Sequence, residues 1–384
     1  MLYGDGIHDD TLGIQELLDT GAALVELPMP EKAYLVSKTL VIHSNQELRL
    51  PRLATIRLAD HSNCLMLTNE NYETGDKNIH ITGGIWDLNN MGQIQNPLHF
   101  PHPEYPDYWG LGLLLQNVRN MYISNLTLKD PASFALTLDS VSYFTVENVD
   151  FDFNHGNPWA VNMDGVHLNG NCHFGTLRNL KGACYDDLVA LNADEGTRGP
   201  ITDIDVDGIY AEGCHSAVRL LSVNCRIERV HIHNVFGTYF QYCIGVTKYQ
   251  PQETSAYYDA LSFDHIFASK AERLPIYHKD GTFVYPVIWI EKNLRIKNLA
   301  ISNVYRTETV TSIPTLSLER NSVVEHMSLS NISCENQTGI PMPLFENEGT
   351  IHRLFVSNLR ANGDRVFAGN GVWPEGFDVN AYTD

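Results

Sequence analysis

Along this chain apolar and polar residues alternate in short runs, and the runs recur. The repeated unit is apolar, polar, then Asn, Gly or His, then apolar. It appears as ITGGI at 81–85, ISNL at 123–126, VENV at 146–149, LRNL at 177–180 and VDGI at 206–209. It continues as IHNV at 232–235, FDHI at 263–266, ISNV at 301–304, LSNI at 329–332 and VSNL at 356–359. Alternation with period two marks a strand, and Asn or Gly at the third position marks a bend that tolerates a left-handed backbone or a side-chain ladder. Successive markers lie 23 to 42 residues apart, so the shortest spacing sets the coil and the excess is insertion. Period two excludes helical repeats, and the LxxLxLxxN pattern of a leucine-rich horseshoe is absent. The expected fold is all-β: a right-handed parallel β-helix, a solenoid of about ten coils whose neighbouring strands lie ~4.8 Å apart.

A solenoid exposes backbone edges at its ends. Residues 9–20, DDTLGIQELLDT, put Leu12, Ile14, Leu17 and Leu18 towards one helical side behind Asp9 and Asp10. That predicts an N-terminal capping helix over the first coil. No linker or low-complexity tract divides the chain, so one domain is expected over residues 1–384, with a cap region at 1–25 and repeat coils at 78–365.

Composition removes several functions. Acidic residues number 46 against 26 basic, a net charge of −20, which repels nucleic acid and anionic lipid. No apolar run is long enough to span a membrane, and the start lacks the basic and apolar regions of a leader, so the expected location is cytoplasmic. A secreted chain trimmed of its leader would read the same. Seven cysteines without a CxxC pair read as reduced thiols.

In a solenoid, equal offsets from the marker fall in one column, so distant residues become neighbours. Asp187, Ser216 and Tyr242 each lie eight residues past their markers Asn179, Gly208 and Asn234, and the strands 188–192, 217–221 and 243–247 align behind them. Asp164 joins this column only if about eight residues, 155–162, bulge out beside it. That loop carries His155 and Trp159 and would wall a cleft. Asp164 and Asp187 then stack one strand apart with Asp186 beside them. Carboxylates so close cannot all ionise easily, which suits acid/base work on a glycosidic bond. A calcium site or a plain surface turn would use the same oxygens. His215, one coil beyond Asp186, is placed to share its proton. His167, Arg219 and Lys248 could bind sugar hydroxyls or carboxylates, or form a solvated basic strip. Trp159, Tyr185 and Tyr249 could stack on sugar faces, whereas Tyr239 and Tyr242, inside strands, read more as packing. The proline- and aromatic-rich segment 99–110 reads as a long loop over one end of the cleft.

These residues carry a resemblance. LYGDGIHDDTLGIQ near the N-terminus resembles the opening of pectate-lyase-superfamily β-helices, and Asn162-Met163-Asp164-Gly165 resembles the Asn-Thr-Asp-Gly of glycoside hydrolase family twenty-eight, the polygalacturonases. Asp186-Asp187-Leu188-Val189-Ala190-Leu191-Asn192 resembles that family's paired-aspartate strand. Gly213-Cys214-His215 stands where Gly-His-Gly is expected, and Lys248 falls near an Arg-Ile-Lys, both in altered form. The resemblance is specific around residues 162–192. It implies an inverting hydrolase in which Asp186 is the general acid while Asp164 and Asp187 hold the attacking water. Without Arg-Ile-Lys, a neutral or differently linked sugar fits as well as galacturonate.

The sequence therefore points to a glycosidase acting on an oligosaccharide. A polysaccharide lyase or uronate epimerase on the same scaffold is the alternative, and a non-catalytic carbohydrate-binding β-helix is a third reading. No zinc-type His/Cys spacing and no phosphate-binding loop appears, so no cofactor or metal is called for, calcium being the one left open. A homo-oligomer stays open too.

Overall fold

The computed structural model describes residues 1–94, 108–153, 155, 162–249, 256–272 and 284–382. Every strand pairing among them is parallel and joins one coil to the next, giving a right-handed parallel β-helix. The repeat sets the register. The first positions of its copies pair in succession: Ile81 with Ile123, then Val146, Leu177, Val206, Ile232, Phe263, Ile301, Leu329 and Val356. From Ile81 to Leu329 all of them are buried in the single hydrophobic core that runs up the solenoid.

The third position is a left-handed bend in all ten copies, with φ between 52° at His265 and 82° at Gly83 and Gly208. Asn is frequent there because its short amide stabilises that backbone and bonds onward. Asn148 Nδ2 donates to Asn125 Oδ1 at 3.1 Å and Asn179 Nδ2 to Asn148 Oδ1 at 2.6 Å. Further along, Asn331 donates to Asn303 at 3.0 Å and Asn358 to Asn331 at 2.9 Å. A coil thus grips its neighbour through backbone ladders and a side-chain ladder.

Near the N-terminus the helix Thr11–Leu18 buries Thr11, Gly13, Ile14 and Leu18. Gln15 bonds to both the N–H and the C=O of Val41, a strand residue. Leu12 and Leu17 do not share the buried side, being 73% and 37% exposed. At ~100° per residue only an i, i+3, i+7 stripe faces inward in so short a helix, and the four leucine and isoleucine positions span more than that. Asp10 precedes the helix but makes no side-chain cap. Its carboxylate accepts instead from the N–H groups of Tyr3, Gly4 and Leu35. The seven cysteines form no disulfide, and Cys64 and Cys225 are only partly buried. Among the described residues no helix is long and apolar enough to cross a membrane.

Candidate active site

Four consecutive coils build the site. Val166 pairs with Val189 and Val189 with Val218, which puts Asp164 in register with Asp187; Asp187 pairs with Ser216 and Ser216 with Tyr242. The column read from offsets is therefore present. The bulge needed beside it is present as a length. Asp152 pairs with Ala183, yet twelve residues separate Asp152 from Asp164 where four separate Ala183 from Asp187. Trp159 and most of that loop lie outside the described residues, as does most of segment 99–110. His155 is described, and its ring is tied to Asp130 at 2.9 Å and Asp152 at 3.2 Å.

Gly165 explains how the coils close up behind the aspartates. A β-carbon there would sit 2.6 Å from the Leu188 carbonyl oxygen and 2.9 Å from the Phe151 ring. The carbonyl is strand backbone and the ring is packed in the core, so glycine is what lets the Asp164 turn lie flat on the Asp187 strand. Gly165 N–H also donates to Asp187 C=O at 3.1 Å.

Asp164, Asp186 and Asp187 each offer an oxygen within 4.8 Å of the others. Their surroundings differ. Asp164 is 3% exposed and is held by the Asp187 N–H at 3.1 Å and by His167 Nδ1 at 2.6 Å. Burial raises its pKa, His167 works against that, and the Asp186 charge adds to it; the net direction is up. Asp187, at 1% exposure, accepts from Tyr242 Oη at 2.9 Å and faces Arg219 Nη1 at 3.4 Å. Burial, then the Asp186 charge, push its carboxyl up to about 8 despite Arg219. Asp186 has the most open side chain, with His215 Nδ1 3.6 Å away and Ser216 Oγ 3.0 Å from that same nitrogen. At 3.6 Å the His215 contact is longer than a hydrogen bond, and it is an ion pair only when the imidazole is protonated.

His167 was expected to meet substrate, and the structure places it elsewhere. Its side chain is 1% exposed, stacked on Phe134 at 3.9 Å and 10°, with Nδ1 on Asp164 and Nε2 3.1 Å from Glu195. Its strand position pairs with Ala190 and through it with Arg219 as expected, but Phe134 closes over the ring. Nε2 makes no hydrogen bond of good geometry, and Glu195, 3.1 Å away, pairs with the ring as a second carboxylate. Burial disfavours the imidazolium, yet the two carboxylates outweigh it and raise the pKa to about 9. The reverse holds at Glu195: burial would raise its carboxyl, and His167 takes it down to about 2. Lys248, the other expected basic contact, is buried at 3%, so the three basic residues form no solvated strip. The chain end of that strand turns at Tyr249, φ 55°, and Tyr249 alone of this group stands open to solvent. The Arg219 guanidinium lies over its ring at 5.1 Å.

Two residues here were not singled out for chemistry from sequence. Tyr242 packs as expected, against Trp289 at 5.6 Å, but its hydroxyl is a donor to Asp187. Glu195 lies beyond the repeat strand, in a turn no motif marks. Metal binding at the aspartates is poorly served. A calcium ion wants six to eight oxygens, and the countercharge here already comes from His167 and Arg219.

No family model and no curated protein matches the chain. Solved structures match its shape along nearly its whole length. The endo-xylogalacturonan hydrolase of Aspergillus tubingensis superposes with TM-score 0.69 at 13% identity, covering 97% of this chain and 99% of that one. The family 28 exopolygalacturonase of Yersinia enterocolitica gives 0.66 at 14%, covering 97% and 76%. The A-module of the mannuronan C-5 epimerase AlgE6 of Azotobacter vinelandii gives 0.57 at 12%, covering 97% and 98%, and PfbA, a surface adhesin of Streptococcus pneumoniae, gives 0.51 at 15%, covering 97% and 91%. At these identities the likeness is one of fold alone: the chain is a parallel β-helix whose shape resembles that of the family 28 polygalacturonases.

Proposed function

We propose that the protein is a glycoside hydrolase that cleaves an O-glycosidic bond of an oligosaccharide by direct attack of water. The observation that carries this is the division of labour among three stacked carboxyls: two buried and hydrogen-bonded, one facing out. Keeping like charges this close is costly to the fold and gives a pure binding surface nothing.

The three carboxyls share one field, with oxygens within 4.8 Å of one another, and Asp186 is the one a glycosidic oxygen can approach. Asp186 gives a proton to the leaving oxygen. Asp164 and Asp187 orient a water towards the anomeric carbon and take up its proton. The carboxyl spacing is below the ~6.5–9.5 Å usual where water sits between acid and base, and a short spacing commonly accompanies a carboxylate nucleophile. Here burial decides the other way. Asp164 and Asp187 are 3% and 1% exposed, too enclosed for a sugar carbon to reach their oxygens. The water is gripped on the flank of the trio, and the product is inverted. His215 resets Asp186, His167 orients Asp164, and Arg219 above Tyr249 offers a cation and a ring face to the sugar.

The test is incubation with a panel of oligosaccharides, galacturonides and neutral sugars included, followed by anomer-resolved proton NMR. A new reducing end that first appears with inverted configuration is expected. Retained configuration overturns the water step. An unsaturated product absorbing in the ultraviolet points to a lyase, and absence of conversion across the panel removes the hydrolase reading.

A further inference from the structure

On another stretch of the same two strands, Asp205 pairs with His231 and Asp207 with His233. Residues two apart on a strand share a face, so four potential ligand side chains meet on one patch of surface. His231 Nδ1 and His233 Nε2 each lie 3.2 Å from Asp205 Oδ1, and the two rings are 4.0 Å apart. Behind them, Asn234 Nδ2 reaches both His233 Nδ1 at 3.2 Å and Asp207 Oδ1 at 2.7 Å, and Asp207 Oδ1 lies 3.5 Å from that nitrogen. Arg178, in register with Asp207, is engaged by Glu147.

We propose that Asp205, His231 and His233 form a binding site for a divalent transition-metal ion of the zinc class. Tetrahedral zinc with bonds of ~2.0–2.1 Å sets neighbouring ligand atoms ~3.3 Å apart. Both nitrogen–oxygen distances match that edge. Asn234 and Asp207 flank the far nitrogen of His233 and fix the ring with Nε2 turned towards Asp205, the outer support a ligating imidazole commonly has. Two imidazoles and one carboxylate select Zn2+, Ni2+ or Cu2+ over Ca2+ and Mg2+, which prefer oxygen alone. Water fills the fourth position. The rings lie within 6° of parallel, so the His231 ring must tilt for both nitrogens to aim at one ion, and with 44% of its side chain exposed it has room. Sequence spacing does not show this site because its carboxylate comes from the preceding coil.

The full chain, stripped of metal, is titrated with zinc chloride and separately with calcium chloride by calorimetry. One zinc per chain is expected, with no calcium competition, and zinc should shift the ring resonances of His231 and His233 in the wild-type protein. His233→Ala and Asp205→Asn should each weaken binding by about tenfold or more, and Asp207→Asn by about tenfold. Metal-free melting temperatures of these surface variants should match wild type, so that a loss of binding reports the site and not the fold. Asp187→Asn should bind zinc normally, which separates this site from the aspartate cluster. No zinc uptake, wild-type affinity in the His231→Ala/His233→Ala double variant, or loss of zinc in Asp187→Asn alone would overturn the proposal.

Discussion

Two columns of the solenoid are built by the same register and have opposite energetics. At the bend, Asn125, Asn148 and Asn179 stack one above another, and Asn148 and Asn179 each donate to the amide in the preceding coil. At the site, Asp164 stacks on Asp187 with Asp186 alongside, and oxygen meets oxygen. An amide carries both a donor and an acceptor, so repetition satisfies it; a carboxylate carries only acceptors, so repetition drives up its pKa. The aspartate column therefore borrows donors from outside itself: His167, Tyr242, Arg219 and the Asp187 N–H. Stacking is the fold's means of cohesion. Where it is made unfavourable, in one place and with borrowed compensation, it marks the chemistry.

The largest effect is expected where one charge is taken out of that column. Asp187→Asn should lower turnover by roughly 10²–10⁴, the usual contribution of a positioned acid or base. Its effect on stability should have the opposite sign at high pH. The Asp187 carboxyl titrates at about 8 in the fold against 3.8 ordinarily, so the folded state holds the proton more tightly. That stabilisation is complete below the ordinary value and is lost as pH rises through the folded one. His167, at about 9 against 6.5, loses its contribution in the same direction between those two values. Melting temperatures of the wild type should thus fall from mildly acid to alkaline pH, and Asp187→Asn should flatten the earlier part of that fall while keeping the Tyr242 hydrogen bond. A variant that melts below wild type at alkaline pH, or shows the same slope, breaks the contrast between the two columns.

The amide column should respond in the ordinary way. Asn148 accepts from Asn179 and donates to Asn125, with φ at 53°. Asn148→Ala removes both bonds, at roughly 0.5–1.5 kcal/mol each, and leaves a β-carbon in the left-handed region, at about 1–2 kcal/mol more. Asn148→Gly removes the same bonds without the strain, so it should recover that last amount in a urea titration. Equal midpoints for Ala and Gly would mean the bend selects Asn for its ladder alone.

How far the sequence shows this depends on whether a residue's partner lies in the repeat. The bends were legible because every copy carries its marker at the same place, and the Asp164–Asp187 column was legible because offsets become registers. His167 was not. Its strand position is the expected one, but Phe134, which covers it, comes from the coil before and Glu195 from a turn after, and neither is repeated. The burial of Lys248 was hidden for a related reason: it follows the strand end, where alternation no longer tells inside from outside. The short helix misled through its length, since two turns cannot bury four large side chains on one face.

A third column makes the smallest and most discriminating test. Tyr210, Phe236, Phe267 and Tyr305 stack up the surface with centroids 5.2, 4.9 and 5.2 Å apart, the first three rings within 1° of parallel. These rings have neither the donor–acceptor pairing of the amides nor the repulsion of the carboxylates, so their cohesion is contact between faces. Phe267 has a ring on either side, whereas Tyr305 has one, because the next coil offers Ser333. The two are 38% and 43% exposed, so burial hardly separates them. If each ring pair contributes its own ~0.5–1.5 kcal/mol, Phe267→Leu should cost about twice as much as Tyr305→Leu in the same urea titration. Equal costs would mean that only area counts in this column, and that stacking in register stabilises the solenoid through its amides and backbone alone.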